Sequence, residues 1–417
     1  MAAPAVPARA FPTSVPTPDA APAPAVRWVP LAVAAVLTAL ADAYVWVQHG
    51  AKPGVLLLLG AGLGLALFHS RFGFTSAWRQ LVAVGNGTGL RAHALLLGTT
   101  ATLFALIIGT GTGLFGSTPE PSAGPLGLAL VVGAFLFGAG MQLGGACASG
   151  TLFAVGSGQS AIVLTLGGFV LGSTVYAWQS PLFTGWPALP AVVLSDHVGW
   201  FGSWAVTVVA LAAVVGVSYL VQRRRTPPPV GVPPTARGAA RIVRGSWPLW
   251  VGAVVLAVLG GAVLLVGGSA WGITSAFALW GSKLGGVFGA HPEHWAFWRQ
   301  PENAAKLAGP VLADKTSLTD LGIMLGAAVA AAAGGVWTLH RRVPWRTAVA
   351  AVLGGVLMGV GARLAQGCNI GAYLAGIASG SVSGWVWAVA ALAGTWVGLR
   401  LRPLFRLANP KPSDSIC

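Results

Sequence analysis

Charge is missing from long stretches of this chain, and that limits its fold more than any motif does. The runs 29–47, 95–109, 161–177 and 249–266 hold few or no charged residues. At about 15–20 residues each, they approach the length of helix that crosses a bilayer. Composition agrees, with 55% of residues hydrophobic and 8% charged, where a soluble chain carries about a quarter charged residues. So little polar surface cannot clothe a globule in water, and lipid must cover much of it. A transmembrane barrel would alternate polarity in segments of about ten residues, whereas these blocks are continuous. The expected fold is an all-α polytopic membrane protein.

Ten spans are predicted, at 28–48, 53–70, 91–110, 125–143, 160–178, 198–221, 247–268, 318–340, 346–364 and 383–401. An Arg- and Pro-rich linker, 222–246, divides a first half (28–221) from a second (247–402), with tails at 1–27 and 403–417. The first half holds an extra helix and one repeat; the second half holds the other repeat. The Ala/Pro-rich first tail lacks the order of a cleaved signal peptide and is expected to be disordered. The net charge of +15 could suggest nucleic acid, but the basic residues sit in short loops, where topology explains them better. With the amino terminus inside, the inner segments hold Arg9, Arg27, Arg71, Arg79, Arg91, Arg223, Arg224, Arg225, Arg237, Arg241, Arg244, Arg341, Arg342, Arg346, Arg400, Arg402, Arg406 and Lys411. The outer segments hold only Lys52, Lys283, Arg299, Lys306 and Lys315. That imbalance satisfies the positive-inside rule. It predicts a multi-pass protein of the inner (plasma) membrane with both termini cytoplasmic.

Two stretches repeat. Gly133, Gly138, Gly140, Leu143, Cys147 and Gly150 return 221 positions later as Gly354, Gly359, Gly361, Leu364, Cys368 and Gly371. With only three cysteines in the chain, the cysteine match is the informative one. A second pair, FGFTSAW around Thr75 and WGITSAF around Thr274, repeats at an offset of 199. An odd number of crossings separates corresponding spans, so the halves should be inverted repeats, a plan common in transporters. Gly-rich backbone at membrane depth is tolerated where protein or a water-filled cavity covers it. The motifs are therefore expected to form re-entrant helical loops, with Thr75 and Cys147 dipping from the cytoplasm and Thr274 and Cys368 from outside. Half-helix amino termini would then point N–H groups at an anion.

Arg363 is the one basic residue not assigned to a loop or tail, and its expected role is to draw an anion toward Cys368. Gln142 takes the matching place in the first half. Ser149, Asn369, Thr75 and Thr274 would offer hydrogen bonds. His69, His93, His291 and His294 lie near interfaces or in loops without a partner pattern. No CxxC or Cys/His cluster suggests zinc, and no GxxxxGK[ST] motif suggests ATP hydrolysis; no metal or other cofactor is expected.

GAGMQLGGACASGTLF, GVGARLAQGCNIGAYL and, less strongly, RFGFTSAWRQ resemble the YeeE/YedE (TsuA-like) family of sulfur-transport membrane proteins over residues 50–400. The resemblance implies thiosulfate uptake through an hourglass of re-entrant helices, with the ion passed between cysteine thiols and Cys147 and Cys368 as the two loop cysteines. It also implies a cytoplasmic sulfur-carrier protein as partner. Some family members carry a third cysteine where this chain has Thr75. Two alternatives stay open: a membrane thiol enzyme moving sulfur or selenium through a cysteine persulfide, and an assembly subunit with inert cysteines.

Overall fold

The computed structural model describes residues 24–225, 227, 235–339 and 343–409. Most of both expected tails, including Cys417, and part of the linker lie outside the described residues. Helix α1 (Trp28–His49) is followed by α2 (Ala51–Ser70), the short α3 (Phe74–Val84) and α4 (Thr88–Thr110). Next come α5 (Leu128–Gly144), the short α6 (Ala148–Gly156), α7 (Ser160–Trp178) and α8 (Ser195–Arg225), the last kinked at Gly199. The second half contributes α9 (Ala240–Arg244), α10 (Leu249–Gly267), α11 (Thr274–Val287), α12 (Ala296–Arg299), α13 (Pro301–Ala308), α14 (Lys315–Ala333) and α15 (Trp345–Leu364). A π-helical turn, Asn369–Leu374, then leads into α16 (Ala375–Ala378), and α17 (Val382–Leu401) closes the fold. Strands β1 (Leu126–Gly127) and β2 (Ala188–Leu189) form one short antiparallel pair.

Among the described residues, ten helical stretches are long and apolar enough to cross a membrane, and they fall at the ten expected places. The protein is all-α and polytopic. One boundary differs: the span expected at 318–340 is α14, which begins at Lys315 and ends at Ala333. Its polar first turn looks like loop in the sequence, but Asp314 caps it by accepting the Ser317 N–H at 2.8 Å. Its other end stops at Gly334 and Gly335, the latter at φ +78°.

Glycine stripes set which helices touch, because association in lipid depends on close backbone approach. Gly60 and Gly64 of α2 lie against Thr319 and Ile323 of α14, while Gly322 and Gly326 of α14 lie against Leu57 and Ala61 of α2. Gly168 and Gly172 of α7 meet α15, whose Gly355 and Gly359 meet α7 in return. Gly138 of α5 and Gly394 of α17 seat those two helices on each other in the same way.

Much of the packing recurs under one exchange of elements, although the contacts of α2 with α1 and with α6 have no equally strong counterpart from α10 to α8 and α16. Helix α2 packs on α14 as α10 packs on α4; α7 packs on α15 as α17 packs on α5. Likewise α6 meets α14 as α16 meets α4, and α3 meets α17 as α11 meets α7. Two helices stand outside this central set: 11% of the apolar window of α1 and 17% of that of α8 is buried, against 72% for α14. Even these correspond, since α1 packs on α14 and α8 on α4.

Candidate functional site

Four short helices carry the residues singled out in the sequence. Thr75 is the second residue of α3 and Thr274 the first of α11. Cys147 immediately precedes α6, and Cys368 immediately precedes the π-helical turn. At 9–14 residues, α3, α6 and α11 are each shorter than the roughly 20 residues that span a bilayer.

The chain reverses before each cysteine through a left-handed residue. Gly145 holds φ +84° and Gln366 holds φ +56°, and these two positions are also 221 residues apart. Glycine meets this geometry without a steric penalty, while glutamine carries some strain. After the turn, each thiol faces its own new helix. Cys147 Sγ lies 3.5 Å from Ser149 Oγ, and the Ile370 N–H donates to Cys368 Sγ at 3.4 Å. Both sulfurs are buried in one hydrophobic cluster. Cys147 is close enough to Cys368 for its ionised form to act on it, and so is Asp320.

An aromatic chain crosses the same cluster. The rings of Trp78, Trp387, Phe137, Phe169 and Phe277 follow one another at centroid separations of 4.8–6.0 Å. Tyr373 of the second cysteine loop stacks on Trp387 at 6.0 Å. The chain's two ends, Trp78 on α3 and Phe277 on α11, are matching positions of the TSA motifs.

A cavity of about 790 Å³ opens beside the first cysteine loop, lined by Thr75, Ser76, Arg79, Gln80, Arg71 and Cys147 among others. Among the described residues its lining includes two arginines and no carboxylate. Gln142 and Ser149 lie one contact behind that wall. The Gln142 side chain donates to the Thr75 carbonyl at 3.4 Å and accepts from Arg79 Nε at 3.1 Å. Its backbone carbonyl accepts from Arg402 Nη1 at 2.5 Å. Gln142 thus ties the Thr75 hairpin to the Cys147 hairpin. Arg79 and Arg402, both expected in loops, belong to this inner construction, and their spacing from the cysteines gave no sign of it.

Cys368, Asn369 and Thr274 do not line that cavity. Over the second cysteine loop, Ser122 Oγ donates to the Gly371 carbonyl at 3.2 Å, and the Ser122 N–H donates to Ser379 Oγ at 2.9 Å. The segment before α8 adds a further bond, Leu194 N–H to the Gly380 carbonyl at 2.9 Å. Thr274 is buried at the start of α11, where the neighbouring Ser275 hydroxyl donates to Thr316 at 2.9 Å.

Arg363 lies on the face of α15 that carries Gly355 and Gly359, because residues four apart share a helix face. That face meets α7, and the guanidinium lies 5.2 Å from the Phe297 ring centroid, beside the Tyr176–Phe297 pair. This placement joins Arg363 to the aromatic wall formed by α7 and α12.

Three buried polar atoms near the thiols have no hydrogen-bond partner: Thr75 Oγ1 and both amide atoms of Asn369. Each such group costs about 1–3 kcal/mol when nothing satisfies it. A polar ligand passing here would find donors and acceptors already desolvated. Among the described residues no group of His, Cys, Asp and Glu could hold a metal ion.

The family profile described as Sulphur transport matches residues 69–397, which covers both cysteine loops and both TSA motifs. The chain belongs to the sulphur-transport family. It is similar to a protein named Probable transporter YedE from Escherichia coli K12, 36% identical over 147 residues, which is 34% of each chain. The match therefore spans about a third of that relative's length. It is also similar to proteins named Thiosulfate transporter TsuA. The one from Spirochaeta thermophila is 29% identical across 82% of this chain and 96% of its own. The one from Escherichia coli K12 is 29% identical across 82% of this chain and 92% of its own. The chain is thus a multi-pass membrane protein of a transport family.

Proposed function

We propose that this transporter takes up thiosulfate, or a related small sulfur-containing anion, across the inner membrane, handing it between the thiols of Cys368 and Cys147. The observation that carries this reading is the shared placement of the two sulfurs. Each is buried just before a short helix, in one cluster, within electrostatic reach of the other. A neutral S–H donates to an anion where a thiolate would repel it. A polarizable sulfur also suits a soft terminal sulfur better than the hard oxygens of sulfate do. Amino-terminal N–H groups of α6 and of the π-helical turn add positive dipole ends. Thr75, Ser149, Asn369 and Thr274 supply further polar contacts, and Gln142 fixes the hairpins.

The exchange pattern in the packing supports two oppositely mounted halves. In this reading α2–α7 of the first half correspond to α10–α17 of the second, the short helices are re-entrant, and both termini lie in the cytoplasm. The open cavity then faces the cytoplasm, where Arg71 and Arg79 hold the departing anion for a sulfur-carrier protein. Arg363 serves the aromatic wall, so the anion-drawing role passes to this arginine pair.

Uptake of labelled thiosulfate into proteoliposomes, with sulfate and selenite as competitors, tests the proposal. Cys147→Ala and Cys368→Ala should each abolish uptake while the purified protein stays monodisperse. Wild-type rates in both variants would remove the thiols from the mechanism. Energy is a separate requirement, since each negative charge moved inward against 100 mV costs about 2.3 kcal/mol. The chain carries no nucleotide-binding motif to supply it.

A further inference from the structure

The first half of α14 holds a carboxyl group that nothing in the thiol relay uses. Asp320 is fully buried, and neither of its oxygens has a hydrogen-bond partner. An ionisable residue inside a membrane segment is expensive to keep and usually marks an ion or proton path. Its location fits such a path. Asp320 is one turn before Met324, whose backbone packs on Gly156 of the Cys147 helix. The carboxyl is also within electrostatic reach of the Cys368 thiol. Asp320 therefore lies on the helix that packs against α6, one turn from the contact with that helix's last residue.

The other half has a counterpart. Helices α4 and α14 change places under the packing exchange, and His93 and Asp320 are each the sixth residue of their helix. Sequence position placed His93 near an interface. The structure instead buries it, with Nδ1 unpartnered and its ring 4.4 Å from that of Phe74. The two halves thus each bury one titratable side chain at the same level of the same helix.

We propose that Asp320 is a proton-carrying group that couples anion uptake to proton uptake. This rests on the thiosulfate reading above. As a carboxylate, Asp320 would repel a dianion approaching Cys368. As a carboxylic acid it is neutral, and the anion passes. One proton binds the carboxylate from the outer side and leaves to the cytoplasm when the anion does, which returns the carboxylate. A dianion and one proton then move a net charge of minus one instead of minus two, so a proton gradient contributes to accumulation.

The cations on the elements packed against α14 are held elsewhere. Asp314, at the start of α14, acts on Asp320 as a like charge, and Asp320 acts on Cys368. Arg241 of α9 is bound to the Ser246 carbonyl and Arg244 to the Pro24 carbonyl. From α6 comes only Cys147. Lys283 of α11 is bound to the Leu307 carbonyl, Lys315 of α14 to Ser269, and His69 of α2 packs on Trp247. Lys52 of α2 acts on Lys315. Asp42 of α1 lines a separate groove with Trp46 and Leu58, and His49 of α1 packs on Tyr44.

The experiment uses full-length protein in proteoliposomes with the membrane potential clamped at zero. Labelled thiosulfate exchange without a gradient is measured first, across a range of pH. Wild-type exchange should slow as pH rises, and an acid-outside gradient should raise accumulation by about tenfold for each pH unit. An internal pH dye should report acidification with each thiosulfate pulse. Asp320→Asn, permanently neutral, should still exchange thiosulfate but lose the pH dependence, the gradient-driven accumulation and the dye signal. Asp320→Glu should recover all three. Gradient-driven accumulation and a dye signal in Asp320→Asn equal to wild type would overturn the proposal. So would wild-type exchange that is unaffected by pH. An absence of thiosulfate exchange by the wild type would instead remove the substrate reading, and this proposal with it. If Asp320→Asn fails to fold, wild-type exchange that slows as pH rises together with the dye signal upholds the proposal, and the absence of either overturns it.

Discussion

The two cysteine loops follow one sequence plan and end in different surroundings. Around Cys147 the wall is an open cavity with Arg71 and Arg79 in its lining. Around Cys368 the segments before β1 and before α8 are hydrogen-bonded over the loop through Ser122 and Leu194. The helices that follow differ as well: α6 is regular, whereas the Cys368 loop winds into a π-helical turn, a form concentrated at functional sites. Both Ala372 and Tyr373 N–H groups converge on the Cys368 carbonyl, at 2.9 and 3.3 Å. The two loops thus differ in access: Cys147 lines an open cavity, and Cys368 does not.

The sharpest test of this difference is chemical. A small anionic methanethiosulfonate should modify Cys147 on the order of a hundredfold faster than Cys368, each studied with the other cysteine replaced by serine. The covered thiol should react only through local opening that costs a few kcal/mol. Equal rates, read by intact-protein mass spectrometry, would erase the contrast. Arg71→Gln should come next in size, weakening thiosulfate presented from the cavity side by roughly tenfold through loss of electrostatic focusing. It should do so much less at high salt. An unchanged half-saturation concentration at low salt would mean that the cavity charge is idle.

Smaller still is the removal of one tether. Ser122→Ala deletes a bond to the Gly371 carbonyl and should cost about 1 kcal/mol, visible as faster modification of Cys368 with Cys147 unaffected. The smallest effect concerns the turns. Gly145→Ala forces a side chain into a left-handed residue and should destabilise by about 1 kcal/mol. The space there is sufficient, with Ile162 the nearest neighbour at 3.7 Å, so strain alone would be read. At the matching position Gln366→Gly should leave the unfolding midpoint nearly unchanged, since relieved strain offsets added chain entropy. A higher midpoint for Gly145→Ala would show that the two turns are not equivalent.

Hydrophobic runs marked ten spans because lipid imposes length and apolarity on each segment separately. All ten fall at helices of the structure. The largest boundary difference is the end of α14, expected at 340 and found at Ala333, where Gly334 and Gly335 stop the helix. Asp320 lay inside the expected span, but its burial without a partner was visible only in the packing. The breaks before Cys147 and Cys368 were also legible, since glycine clusters announce them and the offset of 221 repeats them.

Other features depended on which neighbours meet. The face of Arg363 follows from the Gly355–Gly359 stripe, but what covers that face follows only from α7 and α12. Arg79 and Arg402 looked like loop charges until the fold brought both to Gln142. His93 looked interfacial until Phe72 and Phe74 closed over it. Sequence by itself determined the class of protein, the spans and the paired loops, because bilayer physics and backbone turns act within a few residues. Tertiary structure alone decided which loop is covered and which buried groups face each other, because those depend on contacts between segments hundreds of residues apart, such as Ser122 with Gly371.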